Sequence, residues 1–270
     1  MHIIFTGGLG NQMFEYAFLL ALRSRGHKVV VDTSYYGVVK MHNGYELDRV
    51  FGIQERVVNR QGLHIWWLRC LNKFRPRFLY MADKLTFTPS SIEIPGKYIW
   101  GYWQDERYFK DIENVVRDIY KFRDIDDYNQ AIAQEMANKC SVSLHIRRGD
   151  YAEFGMNLVG DDFYSKAIEY VVNKVETPFF YIFSDDAEVA KDIAGRMGIN
   201  YVLMLHNRGN DSYKDMYLMS KCKHNIVANS SFSWWGAWLN ENNEKIVVAP
   251  KTWNEKCHEI KPQAEGWVLY

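Results

Sequence analysis

From Ser141 onward, short apolar runs alternate with segments of helical periodicity, and this alternation constrains the fold more than any other feature. "SVSLHI", "FFYIFS", "NYVLML", "HNIVAN" and "KIVVAP" read as strands, being short, bounded and rich in β-branched and aromatic residues. Between them, "DDFYSKAIEYVVNKV", "AEVAKDIAGRM", "DSYKDMYLMSKC" and the start "SWWGAWLN" read as helices. Strands separated by helices, with short connections, predict a mostly parallel sheet covered on both faces.

The chain opens with one more unit of this kind. "HIIF" is a strand, "TGGLGNQ" a glycine turn, and Met13, Phe14, Ala17, Phe18, Ala21 and Leu22 recur at helical spacing. A turn of this type holds anions, because backbone N–H groups and the helix dipole point out of it. "HKVVVDTS" adds a strand ending at Asp32, after which the pattern is irregular through Tyr35 to Gln61 and the aromatic run Lys97 to Phe109. Helical spacing returns near Ile112 to Phe122, and Asp124 to Cys140 reads as a capped helix leading into the second half. The expected class is α/β with two Rossmann-type lobes, residues 1–130 and 131–270, meeting near residues 125–140 with a cleft between them. A chain of 270 residues can bury a core in each.

Lysine plus arginine and aspartate plus glutamate number 33 each, a balance that argues against a nucleic-acid partner. Cys70, Cys140, Cys222 and Cys257 are far apart and form no C-x-x-C pair, which fits a reducing cytoplasm without structural zinc or disulfides. No signal peptide is visible, and no window approaches the ~18 apolar residues of a spanning helix. The stretch Gln61 to Ala82 carries Arg69, Lys73, Arg75 and Arg77 interleaved with Trp66, Trp67, Leu68, Leu71, Phe74 and Leu79, and contains no acid before Ala82. It reads first as a core helix with a solvated basic face, broken at Pro76, and second as a peripheral contact with an anionic inner-membrane surface.

In open parallel sheets, ligands bind beyond the carboxyl ends of the strands. There "SVSLHI" runs into Arg147–Asp150, "FFYIF" into Ser184–Asp186, and "HNIVA" into Asn229–Ser233. Adjacent arginines offer planar forks for phosphate oxygens, with one expected to make a structural ion pair. Carboxylates at such a position accept from ribose hydroxyls or a guanine N–H edge, or else cap the next helix. Together the three clusters suit a nucleotide.

"GGLGNQMFEYA", "GYWQDERYF", "HIRRGDY", "FSDD" and "NSSFSWWGAWL" together resemble glycosyltransferase family eleven, the α-1,2-fucosyltransferases, in the family's order and from one end of the chain to the other. The resemblance is to the short bacterial members. It implies a GT-B-like fold with an N-terminal acceptor-side lobe and a C-terminal donor lobe. It also implies inverting transfer from GDP-β-L-fucose to the 2-hydroxyl of a terminal β-galactoside, free or lipid-linked, in surface-glycan or O-antigen synthesis. Carried over by position, Arg147 holds the β-phosphate, His145 lies beside the guanine, and Arg148 supports the loop. Asp185 or Asp186 reads guanine, and Ser230, Ser231 and Phe232 offer N–H groups to phosphate. Gly8, Gly10 and Asn11 match the turn that approaches the diphosphate or fucose.

The departing nucleotide needs its charge neutralised. "DID", Asp124 to Asp126, follows a helical segment and reads as a solvated helix start rather than a metal motif. Arg147 and helix-end N–H groups can take a metal's place, so no metal or cofactor is expected, in agreement with the resemblance. Asp150 is the nearest candidate base, with orientation of an arginine as its other reading. Trp103, Gln104, Asp105 and Tyr108 are the candidate acceptor platform, against a plain core role for the aromatics. A nicotinamide oxidoreductase is disfavoured because Met13 stands where a third glycine belongs. A sugar-binding module would have no use for a diphosphate grip, and no strand-end carboxylate pair marks a glycosidase.

Overall fold

The computed structural model describes residues 1–39, 42–60, 67–68, 70, 97–148, 159–254 and 261–270, with the backbone of 79–81. The chain divides into two compact units, Met1–Arg123 and Asp124–Tyr270.

The first unit contains β1 (His2–Ile4), α1 (Leu9–Ser24), β2 (Val30–Asp32), α2 (Leu47–Phe51), β3 (Val57–Val58), β4 (Leu79–Met81), β5 (Tyr98–Trp100) and α3 (Glu113–Ile119). Its sheet has the order β3-β2-β1-β5-β4, with parallel neighbours throughout. The segments read as irregular from sequence therefore supply β3 and β5, and β4 falls in the basic stretch 61–82, whose first reading is a helix broken at Pro76. Each is only two or three residues long, too short to display a period. Helix α1 is buried almost all round, with Met13, Phe18, Leu19 and Leu22 fully enclosed. Such a helix is enclosed by its unit and carries the polar side chains of Gln12 and Glu15 into the interior with the apolar ones.

The second unit contains α4 (Asp127–Ala137), β6 (Ser141–Ile146), α5 (Asp161–Lys174), β7 (Phe179–Ser184), α6 (Ala187–Met197), β8 (Tyr201–Met204), α7 (Tyr213–Lys221), β9 (His224–Ile226), α8 (Ser231–Trp238), β10 (Val247–Ala249) and β11 (Val268–Leu269). Its sheet order is β11-β10-β9-β6-β7-β8, again parallel. Side chains alternate across it with the period of two that a strand imposes. Val142, Leu144, Ile146, Phe180 and Ile182 pack with Ala167, Ile168 and Val171 of α5 and Ala190 and Ile193 of α6. Tyr181 and Phe183 join Ala133 and Met136 of α4 and Leu218 and Met219 of α7 in a separate cluster. Because α4 packs against this sheet, the division falls at Arg123/Asp124, ahead of the expected 130/131. Both units are α/β with parallel sheets, the GT-B-like class that the resemblance implies.

Buried amides fix the end of α8. Asn240 donates to Cys222 O and to Asn225 Oδ1, each at 2.8 Å, and Asn225 donates to Ser143 Oγ at 2.7 Å. Helices α7 and α8 meet at Gly236, where a Cβ would stand 2.7 Å from Met219 Cβ. Overpacking of this kind costs about 1–3 kcal/mol. Gly236→Ala is therefore expected to lower the unfolding free energy by about 1–3 kcal/mol, seen as a lower urea midpoint, and an unchanged midpoint would refute the close approach.

Candidate functional site

The second sheet grows in opposite directions from its middle. From β6 it continues to β7 and β8, and from β9 to β10 and β11. Loops leaving β6 and β9 therefore depart to opposite faces, the arrangement in which parallel sheets bind ligands in a crevice between the diverging loops. Residues 147–148 follow β6, Asp185 and Asp186 follow β7, and Asn229 and Ser230 lie between β9 and α8.

The two arginines part ways. Arg147 Nε lies 3.1 Å from Asp185 Oδ2, an ion pair outside hydrogen-bond geometry. Arg148 donates its backbone N–H to Asp185 Oδ1 at 2.9 Å. Its guanidinium turns to Asp161, the first residue of α5, and lies 6.0 Å from the Tyr164 ring centroid. Asp161 also accepts from Arg196 Nη2 at 2.7 Å. Arg148 is thus tied to both Asp185 and Asp161.

Asp186 caps α6, accepting the N–H groups of Glu188 and Val189 at 3.1 Å. Both carboxylates expected to meet a guanine edge are therefore engaged within the chain, Asp186 in the capping role that was its other reading. Ser230 caps α8, its Oγ accepting from Phe232 N at 3.3 Å, and Ser231 opens the helix. His145 is buried on β6 with its ring 6.3 Å from the Phe232 ring. Burial, and secondarily the Arg147 charge, pushes its pKa down to about 3, so the imidazole is neutral at ordinary pH. Its Nδ1 is enclosed without a hydrogen-bond partner among the described residues.

In the first unit the glycine turn is held from beneath. Gly7 adopts φ +72°, where a Cβ would also meet Asn11 Nδ2 at 2.4 Å. The Gly7 carbonyl accepts from Tyr36 Oη at 2.8 Å and Gln12 Nε2 at 3.2 Å. Gln12 spans on to Gly44 O at 2.7 Å and accepts from Glu46 N at 2.8 Å. Thr6 donates both N–H and Oγ1–H to Glu15, whose carboxyl is wholly buried and held well above its usual range by desolvation. Gly8 O accepts the Asn11 and Gln12 N–H groups, and Gly10 lies in the first turn of α1.

Of the candidate platform, Gln104 reaches the turn by donating to Asn11 Oδ1 at 2.7 Å. Trp103, 3% exposed, stacks on Phe18 at 4.1 Å, and Tyr108, 4% exposed, meets Phe18 edge-on at 5.1 Å. Asp105 caps the turn Glu106–Tyr108 and pairs with Arg107. Trp103 and Tyr108 are built into the unit by ring packing, and Asp105 by its cap and its ion pair with Arg107. Asp150 lies outside the described residues, as does most of the basic stretch 61–82.

Glu15, Gln12, Asp161 and Tyr164 were not singled out from the sequence. Glu15 carried one signal, a lone acid within the otherwise apolar run Met13 to Leu22 apart from Tyr16. Asp126 of "DID" caps α4 through Asn129 N at 2.9 Å and pairs with Lys214 at 2.9 Å. Among the described residues there is no group of three His, Cys, Asp or Glu placed to hold a metal ion, and no helix is long and apolar enough to cross a membrane.

The family described as Glycosyl transferase family 11 matches residues 1–268. The chain is 32% identical over 279 residues to the alpha-1,2-colitosyltransferase of Escherichia coli, spanning 97% of this chain and 96% of that one. It is 29% identical over 304 residues to the O-antigen biosynthesis glycosyltransferase WbnK of Escherichia coli, spanning 99% of each. The crystal structure of NodZ alpha-1,6-fucosyltransferase soaked with GDP-fucose superposes with a TM-score of 0.51 at 17% identity, over 88% of this chain and 92% of that one. A likeness at that identity concerns the fold.

One titration follows from the edge beyond β8. Asp215 is half-buried in the first turn of α7 and accepts from Asn207 Nδ2 at 2.8 Å. Desolvation pushes its pKa up to about 7, so the folded state binds this proton more tightly than an unfolded carboxyl near 3.9. Stability is lost as pH rises from about 4 through 7 and is level above that. Asp215→Asn keeps the acceptor oxygen and removes the charge. Its urea midpoint relative to the native chain should rise across that window, and a constant difference would refute the buried proton.

Proposed function

Because the chain belongs to glycosyl transferase family 11, we propose that this glycosyltransferase moves L-fucose, with inversion, from GDP-β-L-fucose to the 2-hydroxyl of a terminal β-galactoside. The observation that carries the reading is the reversal of winding between β6 and β9, with Arg147 directly after one strand and the N-terminus of α8 following the other. A diphosphate is the group that such a pairing of guanidinium and helix amides recognises.

Transfer breaks the bond between fucose C1 and the β-phosphate oxygen and forms a bond from C1 to the acceptor oxygen. The electron pair stays on the phosphate, where negative charge grows. Arg147 and the α8 amides stabilise that charge without reorganising, because both are fixed before the reaction. His145, held neutral, supports the floor of the crevice and supplies no proton. The acceptor hydroxyl loses its proton to a base, for which Asp150 remains our candidate. The similarity to an alpha-1,2-colitosyltransferase favours a second reading in which the transferred sugar is colitose. Similarity to an O-antigen enzyme supports a bacterial surface glycan as the acceptor.

The test is incubation with GDP-fucose or GDP-colitose and a panel of β-galactosides, with and without EDTA, followed by linkage analysis. An α-1,2-fucoside should form in either buffer. Arg147→Ala should lower kcat by about 10²–10³ while its melting temperature holds. Undiminished turnover in that variant would remove the guanidinium from the mechanism, and product from GDP-colitose alone would select the second reading.

A further inference from the structure

Strands β6 and β7 pair in register with Ile146 opposite Ser184, so the next residues along, Arg147 and Asp185, leave the sheet side by side. Asp185 uses both carboxylate oxygens across this gap. Oδ1 takes the main-chain N–H of Arg148 at 2.9 Å, and Oδ2 lies 3.1 Å from Arg147 Nε. A carboxylate anchored on a backbone amide cannot rotate without giving up both contacts, so it keeps a negative charge at a set position beside Arg147 Nε.

We propose that Asp185 is a positioning residue for the diphosphate grip, fixing Arg147 and the exit of β6, and that it does not read the base. The inference rests on the GDP-sugar donor proposed above. Reading guanine N1–H and N2–H takes two carboxylate oxygens presented together to the base. Here both face the β6 exit, and the neighbouring Asp186 is committed to the α6 cap. A long arginine left to itself loses rotamer freedom when it closes on phosphate, and a partner that orders it beforehand removes that loss from the binding step.

The sign of the effect separates this role from plain electrostatics. A carboxylate beside a diphosphate repels it, so by charge alone its removal tightens GDP binding. A positioning role predicts weaker binding. The experiment is calorimetric titration of GDP and GMP into the full chain, the Asp185→Asn and Arg147→Ala variants and the double variant, with melting temperatures as the control for folding. Asp185→Asn retains an oxygen for the Arg148 amide and should bind GDP about tenfold more weakly, below the ~10²-fold that misalignment costs a transition state. GMP, lacking the β-phosphate, should be unaffected. In the Arg147→Ala background the same change should alter GDP binding by less than about twofold, because Asp185 acts through Arg147.

Tighter GDP binding, equal losses for GDP and GMP, or independent additive effects in the double variant would each overturn the proposal. Failure of the unaltered chain to bind GDP is a different outcome. It would overturn the donor reading itself and take this inference with it.

Discussion

Parallel pairing of β6 with β7 on one side and β9 on the other is the constraint on which the second unit depends. It places the carboxyl ends of those strands along one edge of the sheet. It also reverses the direction of chain winding between β6 and β9, so that the outgoing loops separate. A reactive group at either loop then needs only a short side chain to reach the crevice. The buried amides of Asn225 and Asn240 hold this geometry by binding β9, the end of α7 and the end of α8 to one another and to Ser143 of β6. The close contact at Gly236 brings α8 near enough to α7 for that network to form.

Charge around the crevice is arranged with little left loose. Arg148 is committed to Asp161, Asp186 to a helix cap, and Asp185 to the exit of β6. His145 carries no proton to spare. The glycine turn of the first unit is built in the same manner, with Glu15 accepting the Thr6 N–H and Gln12 and Tyr36 donating to the Gly7 carbonyl. In both units polar side chains next to the candidate contacts serve mainly to hold backbone in place, which is the use of a supporting shell in a preorganised site.

The second sheet was legible because its longer strands are bounded by helices with clear periodicity, and because buried parallel strands show continuous apolar runs. The first sheet was half hidden. Strands β3, β4 and β5 span two or three residues, and nothing in so short a run distinguishes a strand from a loop. Helix α4 was found but assigned across the wrong boundary, since the packing of Ala133 and Met136 against β7 is a long-range fact. At the candidate site the residue types were readable, while their partners were not. Asp185 and Asp186 are identical in composition and adjacent in sequence, yet one bridges strands and the other caps a helix. Between a platform and a plain core role for Trp103 and Tyr108 the sequence left no choice, because aromatic content does not reveal that Phe18 stacks on one ring and meets the other edge-on.

The ion pair between Arg148 and Asp161 has a consequence for how such a chain can change. These two residues bracket the connection from β6 to α5, and their contact fastens its two ends where the chain leaves the sheet and where it returns. Lengthening a segment whose ends are already clasped costs little, on the order of 0.6 kcal/mol for each doubling. The clasp therefore keeps the start of α5 beside the end of β6 whatever length of chain lies between them, so the place of the arginine anchor is set by the ion pair itself.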